Sequence, residues 1–301
     1  MIVDIHAHLG DLRQPGQSDL SPITVASLIG RLDEEGIDRA VVLPWPASPE
    51  AVSFPGLFDP LAGVVAQIEA AAARPDRLVP FANADPRWGG NRADADFAWF
   101  FDRCAERGCR GLGEVAGNLP FDDPRVVNLF HQAGARGWPV LIESCGPGPG
   151  RYGLVDEPGS PRLDRLLGKV PETIVIGHGP GFWAEIGAGL SAEEKSGYPS
   201  GPIAEEGSLW RLLSTHRNLY ADISAQSGWN ALTRDPQAGL RFVRTFADRL
   251  LFGTDTCFAD AGRRAPQLAW LRALRASGAI DPATFDAIAG GNACRLLSIA
   301  E

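Results

Sequence analysis

The sequence predicts an α/β fold, a (β/α)8 TIM barrel, in a single domain that spans residues 1–301. Eight short apolar runs each precede a longer stretch with helical periodicity. The runs are almost continuously apolar, which is typical of parallel strands that are buried on both faces. The turn after the first run, HAHLGDL, lacks the GxGxxG pattern of a doubly wound open sheet. Together these observations favour a closed barrel.

The predicted elements alternate along the whole chain. The strands are predicted at residues 2–8, 39–45, 78–86, 109–117, 139–146, 173–179, 218–224 and 249–255. The first helix is predicted to open at the cap-like pair Ser21-Pro22, and DPATFDAIAGGNACRLLS predicts a terminal helix. A Gly- and Pro-rich insertion at residues 179–207 follows the sixth strand and is too long for a tight loop. We expect it to be either a lid over the barrel mouth or a packed excursion.

The composition excludes several classes of function. A net charge of −9 and a pI near 5.1 argue against nucleic-acid and acidic-membrane partners. The opening MIVDIHAH lacks the features of a signal peptide, and no apolar run reaches the roughly 18 residues of a membrane span. Five scattered cysteines without a CxxC pair fit reduced thiols. We therefore expect a cytoplasmic protein whose partner is a small-molecule substrate.

Ionisable side chains are concentrated at the ends of the predicted strands. In a (β/α)8 barrel these ends meet at one mouth, where catalytic groups lie. Buried charges are rare unless they are paired or bind a metal, so a divalent ion would offset the cost of this convergence. The groups are His6, His8, Glu114, Glu143, His178 and Asp255.

The pair His6 and His8 is the first candidate for metal ligation. The two residues are two apart on a strand, so both side chains face the same side. Alone, this pattern also fits two satisfied core histidines. The carboxylate of Asp255, at the end of the strand LLFGTD, shifts the balance toward a shared cation. Asp4 has matching parity and is expected to support the histidines from deeper in the barrel.

The segments DIHAHLG, IGHG, LLFGTD and GNACRLL resemble the amidohydrolase superfamily. The similarity is greatest to its amidohydrolase-related branch, which includes aminocarboxymuconate-semialdehyde decarboxylase-like enzymes. The resemblance implies that His6 and His8 are metal ligands and that Asp255 lies near the metal and its water. It also implies that His178 is either a second-metal ligand or a polarising and proton-transferring group. Homodimers are common in this family, so a homodimer is one expected assembly.

The sequence departs from the family pattern at two ligand positions. The branch usually has PVxxH at the fifth strand, whereas this chain has PVLIE, which places Glu143 there. A bridging lysine is absent near the fourth strand, where Glu114 is the plausible substitute. One divalent ion with Glu114, Glu143 and Asp255 ionised would leave a net charge of −1, so the site needs a second cation or a protonated carboxylate. We expect one or two ions, with zinc as the default and manganese or iron as alternatives.

Other residues are candidates for substrate contact, each with a structural alternative. Trp183 lies in the insertion, and Asn230 and Arg234 follow the seventh strand. Arg234 could bind a substrate carboxylate in a bidentate manner, or pair with the adjacent Asp235. Glu114 and Glu143 could also be structural carboxylates that pair within the barrel.

These assignments predict a metal-dependent hydrolase that cleaves a C–N or C–O bond of an amide, ester or lactone by metal-activated water. Asp255 would orient the water and accept its proton, and His178 would polarise the carbonyl. One alternative is a metal-dependent decarboxylase of a small unsaturated or aromatic carboxylic acid, which the loss of the fifth-strand histidine disfavours. Another is a non-catalytic barrel that binds a ligand.

Overall fold

The computed structural model describes residues 1–45, 48, 55–146, 148, 151–260 and 265–299. Within these residues the strands that pair are all parallel. They are β1 Val3–Ala7, β2 Arg39–Val42, β3 Leu78–Pro80, β4 Leu112–Val115, β5 Val140–Cys145, β6 Leu154–Val155, β7 Val175–His178, β8 Leu219–Asp222 and β9 Leu250–Leu251.

Helices cover the outside of the strands and the loops between them. In chain order they are α1 Val25–Glu35, α2 Val64–Ala72, α3 Ala98–Ala105, α4 Pro124–Gly134, α5 Pro161–Lys169, α6 Pro180–Trp183, α7 Ser208–Thr215, α8 Ala225–Thr233, α9 Pro236–Thr245, α10 Gln267–Ala276, α11 Pro282–Asp286 and α12 Asn292–Leu297. In the described ranges, no helix has both the length and the apolar character needed to span a bilayer.

The strands close into the predicted barrel. One sheet has the order β1-β2-β3 and the other β4-β5-β7-β8-β9. The bridge between Ala82 and Leu112 joins β3 to β4. On the other side, the N–H of Ile5 donates to the carbonyl of Phe252 at 2.9 Å, which joins β9 to β1. The short β6 pairs only with β5 and lies outside this ring, so the (β/α)8 fold is confirmed and β7, β8 and β9 are its last three strands.

Apolar side chains fill the barrel interior beneath the mouth. One buried cluster combines residues from strands that are not neighbours in either sheet, such as Leu43 after β2 and Ile176 on β7. Such residues can meet only inside the ring. Leu297 of α12 belongs to the same cluster. A larger apolar layer lies between the strands and the helices. The charged strand ends therefore lie above a packed apolar interior.

One local expectation about helices is wrong. The first helix does not open at Ser21-Pro22 but at Val25, because the Thr24 side chain accepts from the N–H of Ser27 at 3.1 Å and the Ser27 hydroxyl accepts from the N–H of Thr24 at 3.0 Å. This reciprocal capping satisfies two backbone donors and fixes the helix start. The stretch that follows the seventh barrel strand, for which no element was predicted, forms α8.

The insertion at residues 179–207 is held by a buried lysine. The Lys195 ammonium donates to the Glu185 carboxylate at 2.8 Å, to the Ser160 hydroxyl at 3.1 Å and to the carbonyl of Gly181 at 3.0 Å. The Lys195 side chain is 0% exposed. All three donors of the ammonium therefore have acceptors, and the contact with Ser160 ties the insertion to the chain outside it.

Candidate metal centre

The imidazoles of His6 and His8 meet at the barrel mouth with their Nε2 atoms 3.0 Å apart. The Nδ1 of His8 lies 3.0 Å from the carbonyl oxygen of Leu43, which can only accept, so this nitrogen carries the hydrogen. The Nδ1 of His6 lies 2.7 Å from the Asp222 carboxylate. In the neutral rings both Nε2 atoms therefore present lone pairs to each other. Such a contact requires a proton or a cation between the two nitrogens.

Two carboxylates complete this first set of donors. The Glu114 Oε2 atom lies 3.7 Å from the His6 Nε2 and 3.8 Å from the His8 Nε2. The Asp255 Oδ1 atom lies 3.5 Å and 3.3 Å from the same two nitrogens. Tetrahedral ligation with bonds of about 2.0–2.2 Å separates neighbouring ligands by roughly 3.3–3.6 Å. The donor types and their spacing fit one divalent ion.

A second set of donors adjoins the first. His178 Nε2 lies 3.6 Å from Glu143 Oε2 and 4.0 Å from Glu114 Oε1. Glu114 thus directs one oxygen at each set, as a bridging carboxylate does. Asp255 does the same, because its Oδ2 atom lies 4.0 Å from His178 Nε2. The arrangement can hold one ion or two.

The six strand-end side chains are thereby brought to one place. All of them are buried except Asp255, whose side chain is 23% exposed. Strand register explains part of the convergence, since Glu143 on β5 is paired directly with His178 on β7. Asp4 contacts His6 through the backbone, because its carboxylate accepts from the N–H groups of His6 and Thr254. The pairing of β1 with β2 shifts between Asp4 and Ala7, which ends the simple alternation.

Without a cation, the excess of acidic groups is offset by protons. Burial raises the pKa of Glu143 well above its usual range, and the Glu114 carboxylate raises it further. Burial alone would also raise the pKa values of Glu114 and Asp255, but the adjacent histidines outweigh it and lower both. Burial lowers the pKa of His6, yet the carboxylates of Asp255 and Asp222 raise it well above its usual value. A divalent cation would displace such protons.

Sequence reasoning missed Asp222. This carboxylate ends β8, is 0% exposed, and lies 2.7 Å from His6 Nδ1 and 2.9 Å from His178 Nδ1. Burial would raise its pKa, but the two histidines outweigh it and lower the pKa below the usual range. A signal was present, because the segment NLYADIS puts an aspartate at the end of the seventh predicted strand.

A cavity of about 250 Å³ opens beside these donors. Among the described residues that line it, Arg151 is the one Lys or Arg side chain, and it donates to the carbonyl oxygen of Ser196. In the part of the chain that the structure describes, Arg151 makes no ion pair with a carboxylate. The lining consists of Glu143, Cys145, Arg151, Tyr152, His178, Pro180, Ser196, Tyr198, Ala225, Ser227 and Asp255.

The three residues expected to contact substrate do not line this cavity. Trp183 is 1% exposed, and its indole N–H donates to the carbonyl of Asp222 at 2.8 Å. The Asn230 amide and the Arg234 guanidinium donate to backbone carbonyls of the insertion at 3.0 Å and 3.2 Å. Asn230 on α8 and Arg234 at its C-terminal end therefore contact the insertion, and their role in substrate contact stays a prediction.

The chain matches a known protein family over nearly its whole length. A family model described as Amidohydrolase matches residues 3–299. A search of curated protein sequences finds no significant match.

Solved structures with the same fold include enzymes of two reaction types. A probable 2-pyrone-4,6-dicarboxylic acid hydrolase from Acinetobacter baumannii with bound citric acid has 16% identity and a TM-score of 0.58, with 99% of each chain covered. The 5-carboxyvanillate decarboxylase from Sphingomonas paucimobilis has 15% identity and a TM-score of 0.59, with 99% of each chain covered. An amidohydrolase from Burkholderia multivorans with bound zinc has 14% identity and a TM-score of 0.60, with 100% of each chain covered.

Proposed function

Because the chain belongs to the amidohydrolase family, we propose that it is a metal-dependent hydrolase of a C–N or C–O bond in a small-molecule amide, ester or lactone. The observation that carries the proposal is the set of four donor atoms at the mouth. Two facing Nε2 atoms 3.0 Å apart, with one oxygen each from Glu114 and Asp255 at 3.3–3.8 Å, suit a divalent cation. The expected ion is zinc, which the Burkholderia multivorans structure contains.

The proposed holders of the ion are His6, His8, Glu114 and Asp255, with Glu143 and His178 beside a second position. When bound, a divalent ion supplies Lewis acidity and makes water a usable nucleophile near neutral pH. Mixed nitrogen and carboxylate ligation suits zinc, manganese or iron. A metal analysis of the purified protein therefore has to cover all three.

Asp255 is the proposed proton acceptor. Its side chain lines the cavity and is 23% exposed, so a water molecule can reach the carboxylate. Its pKa is lowered by the adjacent histidines, with burial opposing, so the carboxylate is ionised and ready to orient water. His178 also lines the cavity, and its Nδ1 lies 2.9 Å from the Asp222 carboxylate. When the second position holds no ion, a hydrogen on His178 Nε2 would be placed to donate to the carbonyl oxygen of the substrate. When that position holds an ion, the same nitrogen is a ligand instead.

Arg151 identifies a class of substrate. Among the described residues, the Arg151 guanidinium has no carboxylate partner, and the other charged side chains of the cavity wall are acidic or histidine. Such a guanidinium fits a substrate carboxylate. The names of the Acinetobacter baumannii and Sphingomonas paucimobilis structures both denote carboxylic acid substrates. We propose that the substrate carries a carboxylate that Arg151 binds, in the role expected of Arg234.

Decarboxylation of an unsaturated or aromatic carboxylic acid is the second candidate. The Sphingomonas paucimobilis decarboxylase shares the fold over the whole chain, and a carboxylate placed at the mouth is the group that such a reaction removes. Glu143 in place of the fifth-strand histidine disfavours it.

The test combines metal analysis with a substrate panel. Protein is purified without chelator, reconstituted with zinc, manganese or iron, and analysed for bound metal. Less than about 0.2 equivalents of each metal per protein chain contradicts the proposal. Loaded protein is then assayed with lactones, esters and amides that carry a carboxylate, and with aromatic carboxylic acids. Acid release from the first group supports hydrolysis, whereas carbon dioxide release from the second supports decarboxylation. Inactivity of metal-loaded protein toward both groups contradicts both.

A further inference from the structure

One oxygen of Asp222 serves three donors of the candidate site. The Oδ2 atom lies 2.7 Å from His6 Nδ1, 2.9 Å from His178 Nδ1 and 2.6 Å from the Ser224 hydroxyl. His6 comes from β1, whereas His178 comes from β7 and faces the second set of donors. A single buried carboxylate therefore contacts one histidine of each donor set, at the Nδ1 atom and not at the Nε2 atom that faces the site.

The other oxygen of Asp222 also accepts. Its Oδ1 atom receives the backbone N–H of Ser224 at 2.9 Å. A peptide N–H cannot reverse its role, so this side of the residue must be an acceptor. The side that faces His6 and His178 must also accept if each ring is to keep its Nε2 free for a metal. Only a carboxylate presents acceptors on both sides, because an amide has one oxygen and one NH2 group.

We propose that Asp222 is the positioning residue that sets the Nδ1–H tautomer of both His6 and His178 and so aims both Nε2 atoms at the metal positions. The inference rests on the proposed metal centre and adds a shared orienting group for its two donor sets. Partners of this kind fix the ring orientation of ligating histidines and strengthen metal binding.

The packing around Asp222 restricts the position of its carboxylate. A side-chain carbon at Gly253 would come within 2.5 Å of Asp222 Oδ1 and 3.2 Å of the His6 Cβ atom. The indole of Trp183 fixes the backbone carbonyl of Asp222 at 2.8 Å. The glycine in LLFGTD is thus explained by the room that this carboxylate needs, and Gly253 offers a way to displace Asp222 without altering a polar group.

The test is the zinc affinity of Asp222→Asn, measured by competition with a chromophoric chelator at fixed pH. Asparagine keeps the size of the side chain but places an NH2 group against either Ser224 or the two histidines. We expect zinc affinity to fall by about 10–100-fold. In the zinc-loaded wild-type protein, 15N NMR should show the hydrogens of both rings on Nδ1. The chain has five histidines, so the resonances can be assigned by single substitutions.

The matched control is Asp4→Asn, the same change at another buried carboxylate of the barrel. Asp4 Oδ1 accepts from the N–H groups of His6 and Thr254, while Oδ2 contacts only the Thr254 hydroxyl at 2.6 Å. That hydroxyl can accept from an asparagine NH2 and donate instead to the Thr256 hydroxyl at 2.7 Å. We expect zinc affinity within about threefold of the wild type, since no ring nitrogen loses its partner.

The outcomes separate this inference from the proposed function. A wild-type protein that takes up no metal overturns the proposed function. A wild-type protein that binds zinc while Asp222→Asn binds it within about threefold overturns the positioning role alone. If Asp222→Asn does not fold, Gly253→Ala is measured in its place, with the same expected loss and the same contradicting result. Equal losses in Asp4→Asn and Asp222→Asn would show a general effect of barrel carboxylates and would also overturn the role.

Discussion

Two clusters of buried charge lie near each other at the mouth, and only one is neutralised by the chain. In the insertion, Lys195 has three acceptors and forms an ion pair with Glu185 at 2.8 Å. The second oxygen of Glu185 accepts from the Ser208 hydroxyl at 2.7 Å. The cluster has one positive and one negative charge, and its hydrogen bonds are complete. It needs nothing from outside.

The candidate metal centre lacks this balance of charge. Its carboxylates are Glu114, Glu143, Asp222 and Asp255, and the cationic partners that the described residues offer them within 4.0 Å are histidines alone. Two Nε2 atoms face each other at 3.0 Å. Burial of unbalanced charge is costly, so a cluster that is left unbalanced indicates a site that takes an ion from solution. We therefore expect substitutions in the candidate metal centre to reduce catalysis and substitutions in the Lys195 cluster to reduce stability.

The largest effect is expected from Asp255→Ala. The substitution removes one donor and the proposed proton acceptor, so kcat should fall by roughly 10²–10⁴-fold. The residue is partly exposed and lies after the end of β9, so the fold should survive. Circular dichroism and thermal unfolding check the fold, and steady-state kinetics with metal-loaded protein measure the loss. Unchanged turnover would refute the role of Asp255.

The next effect is expected from Lys195→Met, which breaks the balanced cluster. The substitution leaves Glu185 buried without its cation, and the free energy of unfolding should fall by about 3–5 kcal/mol. Urea denaturation measures it. Metal content should stay that of the wild type, because no donor atom changes. Loss of metal without loss of stability would show that the two clusters are not independent in the way proposed.

The double variant Lys195→Met with Glu185→Leu sharpens this comparison. Replacing both partners by apolar side chains removes the uncompensated charge, so part of the lost stability should return. The Ser160 and Ser208 hydroxyls would still lose partners, which keeps the recovery incomplete. A double variant less stable than Lys195→Met would contradict the account of Glu185.

The fold and the six strand-end groups could be predicted because both depend on local pattern. Apolar runs mark the strands, and parallel strands in a barrel bring their carboxyl ends together whatever their distance in sequence. Asp222 obeys the same rule, because NLYADIS places it at the end of the seventh barrel strand, but the sequence does not show which rings its carboxylate contacts. Its importance follows from its distances of 2.7 and 2.9 Å to rings on two other strands.

The cavity wall could not be predicted because its residues are positioned by the packing of loops. Arg234 and Trp183 belong to segments near the mouth in sequence, yet α8 and the buried Lys195 direct them into backbone contacts. Arg151 precedes the short β6, which pairs outside the barrel ring. No periodicity marks that pairing, so the sequence offers no reason to place Arg151 at the cavity wall.

The smallest effect is expected from Arg151→Gln. Arg151 lies in neither charged cluster, and its removal should weaken binding of a substrate carboxylate while leaving the reacting groups in place. A charge-assisted hydrogen bond contributes about 1.5–3 kcal/mol, so KM should rise by roughly 10–100-fold with little change in kcat. The control is Arg244→Gln, because Arg244 also donates to a backbone carbonyl, that of Ala279 at 2.8 Å, but does not line the cavity. A carboxylate-free analogue of the substrate has nothing for the guanidinium to bind, so its KM should be the same in Arg151→Gln and Arg244→Gln. If Arg151→Gln instead raises KM equally for the substrate and for the analogue, Arg151 shapes the cavity wall through Ser196 and does not bind the charge.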